Sequence, residues 1–172
     1  MRTTTVIKGT EMRYSILASS LLALSLCGTA AQAATETSTT TVSDCVIQEV
    51  LPGRAMTGGF VTFEHQGEPV EILEALIPSI TDHVELHEMS MVDNVMTMGP
   101  LQDTSLSEGQ RFFRKGGDHV MIMSIPEDKI PQIGETHTMT FNLSNGTSIS
   151  CDALVKSLDD VMKEHAAEKA AH

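Results

Sequence analysis

Six of the eleven methionines of this 172-residue chain fall in two short windows, Met89, Met91, Met96 and Met98 in the first and Met121 and Met123 in the second. Each window holds a histidine at strand phase. In His83 to Met91 (HVELHEMSM), Val84 and Leu86 point one way and Glu85, His87 and Met89 the other, because successive strand side chains alternate faces. In His119 to Met123 (HVMIM), Val120 and Ile122 take the core side, and His119, Met121 and Met123 share the opposite side. Val95 separates from Met96 and Met98 in the same way. Sulfur and imidazole are thus out of phase with the branched aliphatics that would make a core. One Met-x-Met pair is ordinarily packing; two, each near an in-phase histidine, are hard to obtain by accident. Thioether sulfur is soft and favours Cu(I), whereas calcium and magnesium need several oxygens and structural zinc prefers thiolates. Two His and two Met make a neutral ligand set that keeps a monovalent copper site at +1. His65 and His137 lack such company and are expected to be plain surface or hydrogen-bonded core.

Charge agrees with a cationic ligand. Eleven Lys and Arg stand against 23 Asp and Glu, a net charge of -12, which disfavours nucleic acid and anionic membrane surfaces as partners. A composition of 41% apolar and 20% charged residues is that of a globular chain of one domain or at most two. Residues 1–33 read as a cleaved secretory signal peptide: Arg13 opens a basic stretch, an apolar run follows from Ile16 to Cys27, and Ala31-Gln32-Ala33 supplies the cleavage pattern. Met12 is the expected start, because Glu11 does not suit a signal's basic region. The apolar run is too short to stay in a bilayer, so no stable membrane anchor is expected. Acylation at Cys27 is disfavoured by the bulky Leu26 before it. Export then leaves Cys45 and Cys151, an even pair that an oxidising compartment turns into a disulfide. It would close a loop of roughly 100 residues, a contribution of about 4–5 kcal/mol in the chain-entropy model. Free thiols or thiolate ligands are the alternative. No C-x-x-C is present, and no Cys is followed closely by His and Met, which argues against a redox motif and a thiolate-bound electron-transfer copper.

The elements that must position these residues are strands. Residues 34–42 form a Thr/Ser-rich leader expected to be mobile. Seven short runs follow, Gly59–His65, Val70–Ile77, His83–Met91, Asn94–Met98, His119–Ile125, Thr136–Leu143 and Thr147–Val155, and this spacing predicts an all-β sandwich over residues 43–156. Asp93-Asn94 and Asn145-Gly146 are hairpin turns, the second expected as a type I′ turn. Residues 157–172, rich in Ala, Glu and Lys, predict a polar helical or frayed tail that buries little. His165 and His172 are expected to be ordinary tail residues.

At this point the chain resembles the periplasmic copper chaperones called PCuAC. The resemblance rests on Val84-Glu85-Leu86-His87-Glu88, Val95-Met96-Thr97-Met98 and Gly116-Gly117-Asp118-His119-Val120-Met121-Ile122-Met123, and it extends over most of residues 57–155. The family's pattern is His, ten residues, Met, about twenty-one residues, His, any residue, Met. Here ten residues separate His87 from Met98 and twenty separate Met98 from His119, a one-residue shortening that a loop absorbs. Asn94 replaces a usual Gly, and Gly99 stands where a basic residue is common. The resemblance implies a cupredoxin-like (Ig-like, Greek-key) β-sandwich binding one Cu(I) through His87, Met98, His119 and Met121 in the periplasm. It also implies a copper-accepting partner, the CuA site of cytochrome c oxidase or its assembly factors. No Asp or Glu forms a catalytic motif with Ser, His or Cys, so no enzyme activity is expected. A copper-tolerance buffer and an Ig-like interaction module with a methionine face are the alternatives.

Overall fold

The computed structural model describes residues 38–171, with side chains placed through residue 167. The signal peptide expected at 1–33, the start of the leader and His172 lie outside the described residues. Among the described residues ten strands carry the fold: β1 (Thr39–Gln48), β2 (Thr57–Gln66), β3 (Val70–Leu76), β4 (Val84–Val92), β5 (Val95–Pro100), β6 (Ser105–Leu106), β7 (Gly109–Phe113), β8 (His119–Ile122), β9 (Thr136–Leu143) and β10 (Ser148–Lys156). Helix α1 (Leu158–Ala171) follows. The hydrogen-bonded order is β5-β4-β8-β2-β1-β10-β9-β3-β6, with β7 also on β2, and β1 runs parallel to β10.

Laid flat, this order would hold β2 and β9 three strand spacings, about 14 Å, apart. Phe63 of β2 and Phe141 of β9 instead meet edge to face with ring centroids 4.8 Å apart, and Phe63 also meets Phe113 of β7 at 5.1 Å. The sheet therefore folds over on itself as a sandwich around Ile47, Val61, Phe63, Phe141 and Val155. Cys45 of β1 and Cys151 of β10 are joined by the expected disulfide across a sequence separation of 106.

Four local expectations are corrected. Part of the leader is strand: Thr39 to Val42 pair with Gln66 to Phe63, because β-branched threonines suit a pleated edge and Thr40 Oγ1 bonds His65 Nδ1 at 2.8 Å. His65 is otherwise the expected hydrogen-bonded core histidine, its Nε2 2.8 Å from Glu68 O. The Asn145-Gly146 turn is not type I′. Gly146 has φ 81° but Asn145 is not left-handed, and Leu143 N–H bonds Thr147 O, so Ser144-Asn145-Gly146 form a three-residue loop. Val95 is in phase with a core but 61% exposed, since β5 lies at the sheet edge.

The fourth correction concerns the tail. Ser157 Oγ accepts from Asp160 N–H, Leu158 N–H donates to Glu49 Oε1, and Asp159 and Asp160 sit in the first turn, so α1 is capped and charge-matched at its start. It does not fray away: Val161, 1% exposed, packs with Val46 and Phe60 on the outer face of β1 and β2.

Candidate metal centre

Three strands build one face. The two-residue turn at Asp93 and Asn94, with φ of 48° and 64°, sets the β4–β5 register so that Met91 opposes Met96, Met89 opposes Met98, and His87 opposes Pro100. On the other side of β4, His87 opposes His119 and Glu85 opposes Met121 of β8. Opposed residues share a face. The face thus carries a central His87–His119 row, with Met89 and Met98 one row to one side and Met121 one row to the other. The intervening residues of opposite phase, Val120 and Ile122, are fully buried in the core as expected, and Val84 and Leu86 pack against it.

His119 is delivered by a loop that interrupts a strand. Phe113 pairs with Val61 and Val120 with Gly59, so two steps along β2 correspond to seven along the β7–β8 run. The surplus, residues 114–118, bulges outward and is closed by Arg114 N–H to Asp118 O (2.7 Å) and Gly117 N–H to Arg114 O (3.0 Å), with Gly116 at φ 82°. Asp118 is tied back to β7 by Arg111, whose Nη2 lies 2.7 Å from Oδ2.

Hydrogen bonds fix which nitrogen of each ring is free. His119 Nδ1–H donates to Gly117 O at 2.9 Å, which leaves the lone pair on Nε2. His87 Nε2–H donates to Glu85 Oε2 at 2.9 Å, and its Nδ1 is buried without a hydrogen-bond partner. An acceptor nitrogen left bare inside a protein costs free energy unless something binds it. The ring centroids are 6.0 Å apart. With nitrogen–metal bonds of about 2 Å, two imidazoles sharing one ion have centroids roughly 5–6 Å apart. Burial pushes the His119 pKa below the ordinary value and the nearby His87 adds to this, while the Gly117 hydrogen bond opposes it. The effects that lower it favour the neutral, ligating form of the ring.

The thioethers differ in exposure. Met121 is 6% exposed and Met98 51%. Met89, Met98, His119 and Met121 line a cleft of about 430 Å³ with Phe60 and Lys115. Gly58 opposes Met121 on β2, and a Cβ there would meet the Phe60 ring at 3.3 Å, so the glycine makes room for that wall. The four residues nominated from sequence are therefore brought to one face. Glu85, Gly117 and Phe60 were not assigned roles in advance. The first had a signal, since it shares the phase of His87; the other two act through a backbone carbonyl and a distant strand, which leave no motif. Among the described residues, no group of three or more His, Cys, Asp or Glu side chains is placed to hold a metal.

The family model described as lipoprotein LpqE-like matches residues 40–155. Among solved structures, the chain is similar to the copper-bound PCuAC domain from PmoF2 at 15% identity, over 69% of this chain and 92% of that one, with a TM-score of 0.55. It is similar also to the apo PCuAC domain from PmoF1, at 12% identity over 69% and 93%, TM-score 0.55. For the solution structure of CuI-DR1885 from Deinococcus radiodurans the values are 23% identity, 73% and 81%, and a TM-score of 0.50. No curated protein matches the sequence. The likeness to these structures is one of fold: the chain has the cupredoxin-like β-sandwich of PCuAC domains.

Proposed function

We propose that this chain, which belongs to the LpqE-like family, is an extracytoplasmic copper carrier that holds one Cu(I) through His87, Met98, His119 and Met121. The observation that carries the reading is the paired histidines: each is tautomerically set by a fixed oxygen, each keeps one nitrogen lone pair, and they stand opposite one another with thioethers in the flanking rows. Copper in the names of two structurally similar proteins agrees with that donor set.

The copper ion is cargo. His87 and His119 hold it with rings that need no reorientation, and Met121 closes the buried side. Met98, half in solvent, is the ligand that a partner's ligand displaces first, so the ion leaves by stepwise exchange through the exposed side. No nucleophile or acid–base pair is needed, and the chain is not an enzyme. The recipient is a copper-accepting protein, the CuA site of cytochrome c oxidase or one of its assembly factors. The disulfide fits an exported, periplasmic protein. Although the family is described as lipoprotein-like, Leu26 argues against acylation at Cys27, and the mature chain starts at Ala34.

Competition with a Cu(I)-selective chromophoric chelator tests this. One equivalent should bind tightly, and His87→Ala and Met121→Ala should each weaken it by roughly a hundredfold or more, exceeding the loss typical of a supporting residue. Met162→Ala, on the exposed side of α1, should leave it unchanged. Equal losses in all three, or no tight equivalent at all, would overturn the reading.

A further inference from the structure

Three methionines of the β4–β5 hairpin are not used by that site. Met91 and Met96 oppose one another nearest the turn, and Met89 lies one row inward, opposite Met98. The two-residue turn makes Val92/Val95 a hydrogen-bonded pair, so Met91/Met96 and Met89/Met98 are both pairs of the other kind, whose Cα atoms approach to about 4.5 Å with side chains closest. Met91 is 61% and Met96 49% exposed, on an edge hairpin where they cover no core. Packing does not account for them. Glu88, the nearest carboxylate along β4, has the opposite phase.

We propose that Met89, Met91 and Met96 form a second, all-thioether site for Cu(I), distinct from the histidine-containing one. Three neutral sulfurs on flexible stems converge readily on a soft monovalent ion and offer little to Cu(II), Zn(II) or Ca(II). Met89 also lines the cleft shared by Met98, His119 and Met121, so it belongs to the neighbourhood of both sites. An ion received near the hairpin tip passes inward to the histidine pair without leaving sulfur.

The test uses Ag(I), a redox-inert soft cation, titrated into the intact chain and followed by native mass spectrometry and methionine methyl NMR. Two equivalents are expected, the second shifting the methyls of Met89, Met91 and Met96 and not that of Met162. Met91→Leu with Met96→Leu, near-isosteric and exposed, should abolish the second equivalent and keep the first. His87→Ala with His119→Ala should do the reverse. A single equivalent in the wild type, or a second one that survives the leucine pair, overturns the proposal. Failure of the histidine variants to alter the first equivalent would count against the carrier site alone, with the hairpin still decided by the leucine pair.

Discussion

His87 and His119 stand opposite one another on adjacent strands with ring centroids 6.0 Å apart, and each is held by an oxygen of a different kind, a carboxylate for the first and a backbone carbonyl for the second. The carbonyl cannot be removed by substitution, whereas the carboxylate can.

Glu85→Ala should therefore weaken Cu(I) binding by about 10–100-fold, as the loss of a residue that orients a ligating histidine does. Glu85 is about half exposed and its contact with His87 is a surface one, so the melting transition should move by less than about 1 kcal/mol. Chelator competition and thermal melts separate the two effects. Unchanged affinity would mean that His87 needs no orienting carboxylate.

Acidification tests the buried partner. The His119 pKa in the folded chain lies below the 6.5 of an ordinary histidine, chiefly because burial disfavours the cation. The unfolded chain thus takes up the proton first. The associated stability is fully present above 6.5 and is lost as pH falls through the folded-state value. Melts of the metal-free protein should decline over that window, and His119→Gln should flatten the decline. Cu(I) affinity should also fall in acid, because both rings must be neutral to bind, while the thioethers are indifferent to pH. An affinity flat from about pH 7 to 5 would count against two histidine ligands.

The face shared by the histidines and methionines was legible because Val-x-Leu and Val-x-Ile mark the core phase of β4 and β8 and assign the intervening residues outward. The β4–β5 register was legible through Asp93-Asn94, which admits one short turn. The pairing of β4 with β8 was not, since it joins segments separated by the whole β5–β7 region and no local signal encodes it. β7 escaped because Gly109 to Phe113 lacks a clean alternation, and all of β1 escaped, its first threonines read as a soluble leader and Ser43 to Gln48 not read as a run. The tail was misjudged for a related reason: a single buried valine seals it against Phe60, and one core contact among alanines and charges carries little pattern.

Cys45→Ser or Cys151→Ser should separate stability from metal binding. A bridge closing about 100 residues stabilises by up to about 4–5 kcal/mol, and removing a native disulfide from a small secreted domain typically costs about 2–5 kcal/mol. Neither cysteine lines the cleft of Met98, His119 and Met121. Denaturant melts should show the loss, and chelator competition below the melting transition should give the wild-type affinity. A parallel loss of affinity would mean that the sheet around β1 and β10 helps set the ligand geometry.

Helix α1 reaches the His119 loop by a route that the sequence did not announce. Its Val161 covers Phe60, His165 meets the same ring edge-on at 5.2 Å, and His165 Nε2 accepts from Lys115 N–H at 3.1 Å in the loop that carries Gly117 and leads into His119. His165→Ala should leave that amide without its partner and loosen residues 114–118. Hydrogen exchange at Lys115 should speed up, and Cu(I) affinity should fall modestly, by about 3–10-fold, since the His119 tautomer depends on the position of the Gly117 carbonyl. Val161→Ala should cost about 1–3 kcal/mol of stability from lost burial and loosen the same loop. Exchange at Lys115 unchanged in both variants would mean that the loop holds its shape through its own hydrogen bonds and the Arg111–Asp118 tie, with α1 only covering Phe60.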